Sequence, residues 1–527
     1  MGKDKKLYRI TLQPIGAVVE AEAGTPLRDL LFEQGVEFPC GGQGRCRGCK
    51  VRVLQGNVSV NAAQREHLSQ EELEHGWRLA CQSRLEDDLV IELRQWDATI
   101  LVNDAAFAFT PEEGLGVAVD VGTTTVVAQL LDLEKGYVLG VKTALNPQAR
   151  YGADVMSRVN YAVAEGGAER LTSLIRHEVG RLIHQLFVSS QSDPRRLRKV
   201  TLVGNTVMHH LFCGIDLEPL SHTPFEPVND GMQVFRAQQL GWVSPQDAPG
   251  IERDAGGDAW GLPPDVEVRF LPCLGGFVGS DLLAGILATG MHQSDELCVL
   301  MDLGTNGEIL LGNREHILCA STAAGPAFEG ARISMGMRAA TGAIWKVVAT
   351  DHRLEVQVLG NAQPRGICGS GLVDAVAAGL QLRLIRPTGR FADGAHSLTL
   401  AGDVALSQAD IRQLQLAKGA IAAGVRILLH RQGVAMEDVR RVYLAGAFGN
   451  YVDRHSARRI GLLGFQPDVV QPVGNTALLG AKMALFAPKD EDYASIRRIC
   501  EHVSLNEDPA FQDVYVEEMT FPAIVEE

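Results

Sequence analysis

Positive charge is in short supply: 49 lysines and arginines stand against 64 acidic residues, leaving a net charge of −15. A surface of that sign repels a phosphodiester backbone, so nucleic acid is not an expected partner. Long apolar runs are missing too. No stretch approaches the roughly eighteen consecutive apolar residues that a spanning helix needs, so no membrane insertion is expected. The opening MGKDKKLY has neither the apolar segment of a secretory signal nor the hydroxyl residue that a myristoylation motif wants at position 6. The ten cysteines lack the even spacing of a disulfide scaffold: four fall within the first 81 residues and six are scattered. That distribution points to metal ligation plus buried thiols in a reducing, cytoplasmic setting. Two phosphate-binding signatures are also absent, since the chain has no G-x-x-x-x-G-K-[ST] and no usable G-x-G-x-x-G.

What remains is a chain too long, at 527 residues, for a single core, with 56 glycines that imply many tight turns near ligands. Residues 1–93 read as one small domain. Tyr8, Ile10 and Leu12 alternate with polar residues as in a strand, and Thr25-Pro26 starts a helix that carries Leu27, Leu30 and Leu31 on one face and ends at Gly35. A loop containing Gly41, Gly42, Gly44 and Gly48 follows, then strands around KVRVLQ and DLVIELR. Residues 94–113 lose this regularity and read as a linker, with Trp96, Phe107 and Phe109 marking it as one that packs. From Gly114 onward short apolar strands alternate with amphipathic helices, the pattern of an α/β architecture. We divide it into lobe I, 114–295, and lobe II, 296–487, followed by an acidic segment, 488–527, that is either a last strand or a tail.

Cys40, Cys46 and Cys49 form C-x5-C-x2-C, and Cys81 follows in RLACQSRL. Four thiolates are the full ligand set of a [2Fe-2S] cluster, three from one loop and the fourth from a separate segment. Glycines in that loop let the backbone wrap closely and aim amides at the sulfurs. Zinc modules instead pair two C-x2-C dyads, and a [4Fe-4S] site wants a closer run of cysteines. Strand, strand, helix, cysteine loop and further strands is the order of a β-grasp ferredoxin. Arg45, Arg47, Lys50 and Arg52 flank the cysteines and form either a solvated face or a docking patch.

Two further segments echo each other. GVAVDVGTTTVVAQLLD sets Asp120 at the end of an apolar strand, and LCVLMDLGTNGEILLG does the same for Asp302. Each reads as strand, Asp-x-Gly-Thr turn, strand, a hairpin that lets backbone amides approach phosphate oxygens. For either aspartate alone turn capping is the simpler reading, and the pairing argues against it.

The duplicated hairpins resemble those of the actin-like superfamily (ASKHA, ribonuclease H-like), which includes sugar and acetate kinases and heat-shock chaperones. That resemblance implies ATP clamped between two lobes. Gly122, Thr123, Thr124 and Thr125 would hold phosphates from one lobe and Gly304, Thr305 and Asn306 from the other, while Asp120 and Asp302 orient Mg²⁺ through water. VYLAGAFGNYVD resembles the adenosine motif, with Gly446 and Gly449 passing beneath the base, and GFVGSDLLAGILATG and GNTALLGAKMAL resemble the interlobe helices. Asp281, in the first of these, is the candidate for orienting the attacking water, with a plain helix-start carboxylate as its competing reading.

The ferredoxin pattern ahead of DVGTTT, NPQARYGADVMSRV, DLGTNGE, GICGSGLVD and LAGAFGNYVD resembles, over nearly the whole chain, the reductive activators of corrinoid-dependent methyltransferases. The resemblance implies an ATP-hydrolysing activase that returns one electron from its cluster to an oxidised Co(II) corrinoid protein. It further implies an upstream electron donor and a homodimer formed through the ATPase module. The competing functions are a ferredoxin-fused small-molecule kinase and a non-catalytic ATP-binding switch acting on another redox partner. Cys213, Cys273, Cys298, Cys319, Cys368 and Cys500 read as structural, and the adjacent His209 and His210 do not read as a shared metal site.

Overall fold

The computed structural model describes residues 6–13, 17–32, 49–93, 109–152, 154–243, 260–304, 306–330, 332–337, 339, 342–350, 353–359, 362–486 and 490–523. Cys40, Cys46, Trp96, Phe107 and Thr305 lie outside them. By their contacts the described residues form two units, one running to 290 with 476–498 added, the other comprising 291–475 and the residues from 499 on.

In the first unit the N-terminal region is a five-stranded sheet. β1 (Leu7–Gln13), β2 (Ala17–Glu22), β3 (Lys50–Gln55), β4 (Trp77–Leu79) and β5 (Leu89–Leu93) lie in the order β2-β1-β5-β3-β4. Its pairs are antiparallel except β1 with β5. The alternation read in β1 buries Ile10 and Leu12, and the helix Leu27–Phe32 buries Leu27, Leu30 and Leu31, so both amphipathic patterns find the same small core. Strand, strand, helix, strand is the β-grasp arrangement expected from the sequence.

A six-stranded sheet follows, with β6 (Leu115–Val121), β7 (Thr125–Asp132), β8 (Val138–Leu145), β9 (Leu197–Val203), β10 (Gln233–Arg236) and β11 (Glu267–Phe270) in the order β10-β11-β9-β6-β7-β8. β6, β7 and β8 form an antiparallel meander, while β9 and β11 continue the sheet in parallel from β6. Nearly every residue of β6 is buried, as a central strand covered on both faces requires. Helix Ala168–Ser190 packs along β7 and β8. Helix Ser280–Thr289 packs against helix Thr476–Phe486, which also reaches β6 and β9.

The second unit repeats this plan. β12 (Cys298–Leu303), β13 (Gly307–Gly312), β14 (Ile317–Thr322), β20 (Arg441–Ala445), β21 (Val470–Gly474) and β22 (Cys500–His502) run in the order β21-β20-β12-β13-β14-β22. Again three antiparallel strands lead and two parallel ones follow. Between β14 and β20 lie a three-stranded sheet of β15 (Ala343–Thr350), β16 (Arg353–Val358) and β17 (Gly366–Ile367), and the pair β18 (Ser397–Ala401) and β19 (Val404–Ser407). Two matching sheets in one chain make the duplicated, two-lobed α/β architecture explicit.

The unit division differs from the lobe boundaries drawn on sequence. Residues 476–486, placed with lobe II, pack in the first unit because Gly480 lets the backbones meet: a Cβ there would lie 2.1 Å from the Ala284 carbonyl oxygen. The acidic segment is also more than a tail. It supplies β22, parallel to β14, and helix Phe511–Glu518 against helix Gln408–Gln432. Gln415 and Lys418 of the longer helix donate to the carbonyls of Met519 and Thr520, each at 3.0 Å. In the expected linker, Phe109 packs on Phe486 with ring centroids 4.5 Å apart.

Candidate functional site

Cys49 immediately precedes β3 and Cys81 follows β4, two strands paired in antiparallel register. That pairing brings their Sγ atoms to 3.2 Å without a disulfide. The Ala80 amide donates to the Cys49 carbonyl at 3.0 Å, which fixes the two segments together. Two cysteine sulfurs at that separation, one buried and one partly exposed, form a donor set suited to thiophilic iron. Cys40 and Cys46, the other expected ligands, are outside the described residues, and among the described residues no group of three metal-ligating side chains occurs.

Of the basic residues near these thiols, the two that are described, Lys50 and Arg52, differ in exposure. Lys50 is largely buried, paired with Glu72 and set 4.5 Å from the Trp77 ring centre. Arg52 stays half-exposed and donates to the His75 carbonyl at 3.2 Å. Lys50 is therefore a structural cation, while Arg45 and Arg47 fall outside the described residues.

In the first unit the turn Gly122-Thr123-Thr124 joins β6 to β7. Asp120 sits on β6 opposite Val203 of β9, with Val121 between it and the turn. Gly122 is required there, since a Cβ would lie 2.4 Å from the Thr125 carbonyl oxygen. Three consecutive carbonyls of this turn accept hydrogen bonds from beneath. Asn146 Nδ2 donates to Gly122 O at 2.9 Å, Arg158 Nη2 to Thr123 O at 2.6 Å, and the Asn146 amide to Thr124 O at 2.9 Å. Asn205, which caps helix Thr206–Cys213, donates from Nδ2 to Thr123 Oγ1 at 2.8 Å. With the carbonyls anchored inward, the Thr123 and Thr124 amides make no hydrogen bond among the described residues. That is the local chemistry of an anion cradle.

Asp281 is the second residue of helix Ser280–Thr289, beside the same strand ends. The Ser280 amide and hydroxyl both donate to Gly204 O, at 2.9 and 3.1 Å, and Gly204 directly follows β9. Asp281 Oδ1 accepts from the Leu282 amide at 2.9 Å. Register thus gathers Asp120, the Gly204-Asn205 step and Asp281 at one end of one sheet.

The second unit repeats the device. Asp302 lies on β12 between Glu308 of β13 and Ala445 of β20. Its turn is tightened by the Gly304 amide donating to Asn306 O at 3.0 Å; Thr305 is outside the described residues. Gly446 follows β20 at φ +82°, and a Cβ there would approach Asp302 Oδ1 to 2.6 Å. The adenosine-type motif and the second hairpin therefore meet in one place. Gly449 lies one helical turn on, where a Cβ would meet Leu444 Cγ at 3.0 Å.

Other residues singled out in the sequence pack elsewhere. Cys273 and Cys368 are fully buried, and burial pushes both thiols up. His209 and His210 are buried with their Nδ1 atoms 3.4 Å apart, and burial pushes His209 down to about 3 and His210 down as well. The residues that sequence reasoning missed are Asn146, Arg158 and Asn205. The motif NPQARYGADVMSRV carried the first two, and N-cap propensity alone marked the third.

Comparison with known proteins covers the chain from end to end. Residues 10–86 match the 2Fe-2S iron-sulfur cluster binding domain, residues 115–251 the RACo middle region, and residues 296–526 the C-terminal domain of RACo, the ASKHA domain. The corrinoid activation enzyme RamQ of Eubacterium limosum is 36% identical over 433 residues, 76% of this chain and 69% of that protein. The [Co(II) methylated amine-specific corrinoid protein] reductase of Methanosarcina barkeri is 28% identical, covering 77% of each. A solved structure described as a reductive activator for corrinoid, iron-sulfur protein superposes with a TM-score of 0.68 at 28% identity, over 98% of both chains.

Proposed function

The chain belongs to the family of corrinoid-protein reductive activators, and we propose from that premise that it reduces the Co(II) of a partner corrinoid protein to Co(I) with ATP. The observation that carries this reading is the union, in one chain, of a ferredoxin domain with two copies of an Asp-bearing phosphate hairpin. The names of the relatives speak of corrinoid activation, and none favours the kinase or switch alternatives.

Cys40, Cys46, Cys49 and Cys81 are the proposed cluster ligands, supported by the close approach of Cys49 and Cys81. A plant-type [2Fe-2S] centre supplies one electron at roughly −400 mV. Reducing a corrinoid cobalt of lower potential is uphill, with each ~59 mV a tenfold disadvantage for one electron. Differential affinity of the nucleotide-bound protein for its partner can offset that gap. The hairpin residues Gly122, Thr123, Thr124 and Thr125 hold phosphate on one unit, and Gly304, Thr305 and Asn306 on the other. Gly446 and Gly449 run beneath the adenosine. Asp120 and Asp302 orient hydrated Mg²⁺, and Asp281 orients water for hydrolysis. The partner belongs to a methyltransferase system, an upstream donor reloads the ferredoxin domain, and the activator works in the cytoplasm as a homodimer. No described helix is long and apolar enough to cross a membrane.

The test is anaerobic. Reduced protein is mixed with a Co(II) corrinoid protein, and Co(I) absorbance is followed with and without ATP and magnesium, for the wild type, Cys46→Ala and Asp302→Ala. ATP-dependent Co(I) formation lost in both variants is expected. A protein with intact cluster and ATPase that leaves cobalt oxidised sinks the proposal.

A further inference from the structure

Arg158 is fully buried on helix Val155–Ala164, directly beneath the first hairpin turn. Its guanidinium donates to Gly152 O at 2.9 Å, Gln148 Oε1 at 3.2 Å, Met208 Sδ at 3.4 Å and Thr123 O at 2.6 Å. Those partners are all uncharged, and among the described residues it makes no ion pair. The carboxylate that acts on it, Asp154, is occupied as the N-cap of the same helix, accepting from the Ser157 amide at 2.8 Å. Burial pulls the guanidinium down to about 10, still cationic at neutral pH.

A buried cation whose hydrogen bonds all go to uncharged partners is costly, and an arriving anion offsets that cost. Here the arrival point is marked by geometry. Arg158 holds the carbonyl of the Thr123–Thr124 peptide, whose N–H belongs to Thr124, and Asn146 holds the carbonyl of the Gly122–Thr123 peptide, whose N–H belongs to Thr123. Those are the two amides left without partners. A donor on the carbonyl polarises the peptide and strengthens its N–H as a donor, the cooperative effect of hydrogen-bond chains.

We propose that Arg158 is a positioning residue for polyphosphate: beneath the first hairpin it supplies positive charge and polarises the turn, so that the Thr123 and Thr124 amides receive the anion while the guanidinium never touches it. The inference rests on the reading that this hairpin holds nucleotide phosphate, and it assigns to NPQARYGADVMSRV the task of charging that hairpin.

The test compares ATP with adenosine by calorimetry on the full-length wild type, Arg158→Gln and Arg158→Lys, with folding checked by circular dichroism. Loss of a charged hydrogen bond in this position is expected to weaken ATP roughly 10- to 100-fold in R158Q, with adenosine affinity unchanged. R158K, which keeps the charge but cannot fork between Gly152 O and Thr123 O, is expected to fall between. Equal losses for ATP and adenosine in R158Q would show a merely structural role and overturn the inference, as would no loss at all. Should R158Q fail to fold, R158K decides: ATP affinity equal to wild type overturns the guanidinium's role. A wild type that binds ATP no better than adenosine instead removes the phosphate-site reading itself, and the inference with it.

Discussion

Gly446 offers the sharpest test of whether the second hairpin and the adenosine-type motif form one site. Its φ of +82° is a left-handed conformation, and its missing Cβ would lie 2.6 Å from Asp302 Oδ1. Alanine there costs about 1–2 kcal/mol for the backbone alone. It must also push the Asp302 carboxylate outward by about 0.8 Å to reach ordinary van der Waals contact at 3.4 Å. A misplacement near 1 Å at a reacting group can cost on the order of 100-fold in rate. Gly433 separates the two effects. It ends helix Gln408–Gln432 at φ +69° with nothing within 4 Å of its would-be Cβ, so Gly433→Ala carries the backbone term without the contact. Urea unfolding is expected to show losses of about 1–2 kcal/mol for Gly433→Ala and at least as much for Gly446→Ala. ATP-dependent Co(I) formation is expected to stay near wild type in Gly433→Ala and to fall toward a hundredth in Gly446→Ala. If the two variants lose stability alike and both keep their activity, Asp302 is not held for catalysis by that glycine, and the reasoning fails.

Two further outcomes follow from buried groups. Burial raises the Asp374 carboxyl to about 7, with a hydrogen bond from Ser456 opposing and Asp453 adding to the rise, and among the described residues its Oδ1 has no partner. A folded pKa above the unfolded one means that this carboxyl's contribution to stability is present at low pH and is lost as pH rises through about 7. Asp374→Asn should therefore exceed wild type in urea unfolding by a margin that grows from pH 5 to pH 8; an equal deficit at both would exclude a neutral carboxyl. At the helix pair, Gly480→Ala must displace the Ala284 carbonyl, 2.1 Å from the new Cβ. A stability loss of about 1–3 kcal/mol is expected from such overpacking; a melting temperature equal to wild type would mean that the helices do not pack backbone to backbone.

The legible parts of this protein were those whose chemistry is local. Leu27, Leu30 and Leu31 announced a helix face because the helical period places them together whatever surrounds them, and all three are buried. The turn at Gly122 of DVGTTT was equally readable, because a tight turn restricts residue type at consecutive positions. The helix Thr476–Phe486 clusters with the first unit and not with the stretch 296–487 drawn on sequence, for the opposite reason. Its small residues signalled close packing, yet nothing in a stretch of alanine and glycine states which partner it will meet. The last segment stayed ambiguous because β22 is three residues long and exists through its pairing with β14.

The sequence by itself therefore determined the thiolate chemistry, the duplicated Asp-x-Gly-Thr hairpins and the α/β character of the two lobes, all carried by patterns a few residues long. The tertiary structure decided what stands behind those motifs. It set Cys81 against Cys49 and Gly446 against Asp302, and it placed Arg158, Asn146 and Asn205 under one turn. Those contacts join residues far apart in the chain, and a hydrogen bond or a close approach leaves no periodicity in sequence. Only the packing of each core, taken separately, fixes which side chains meet.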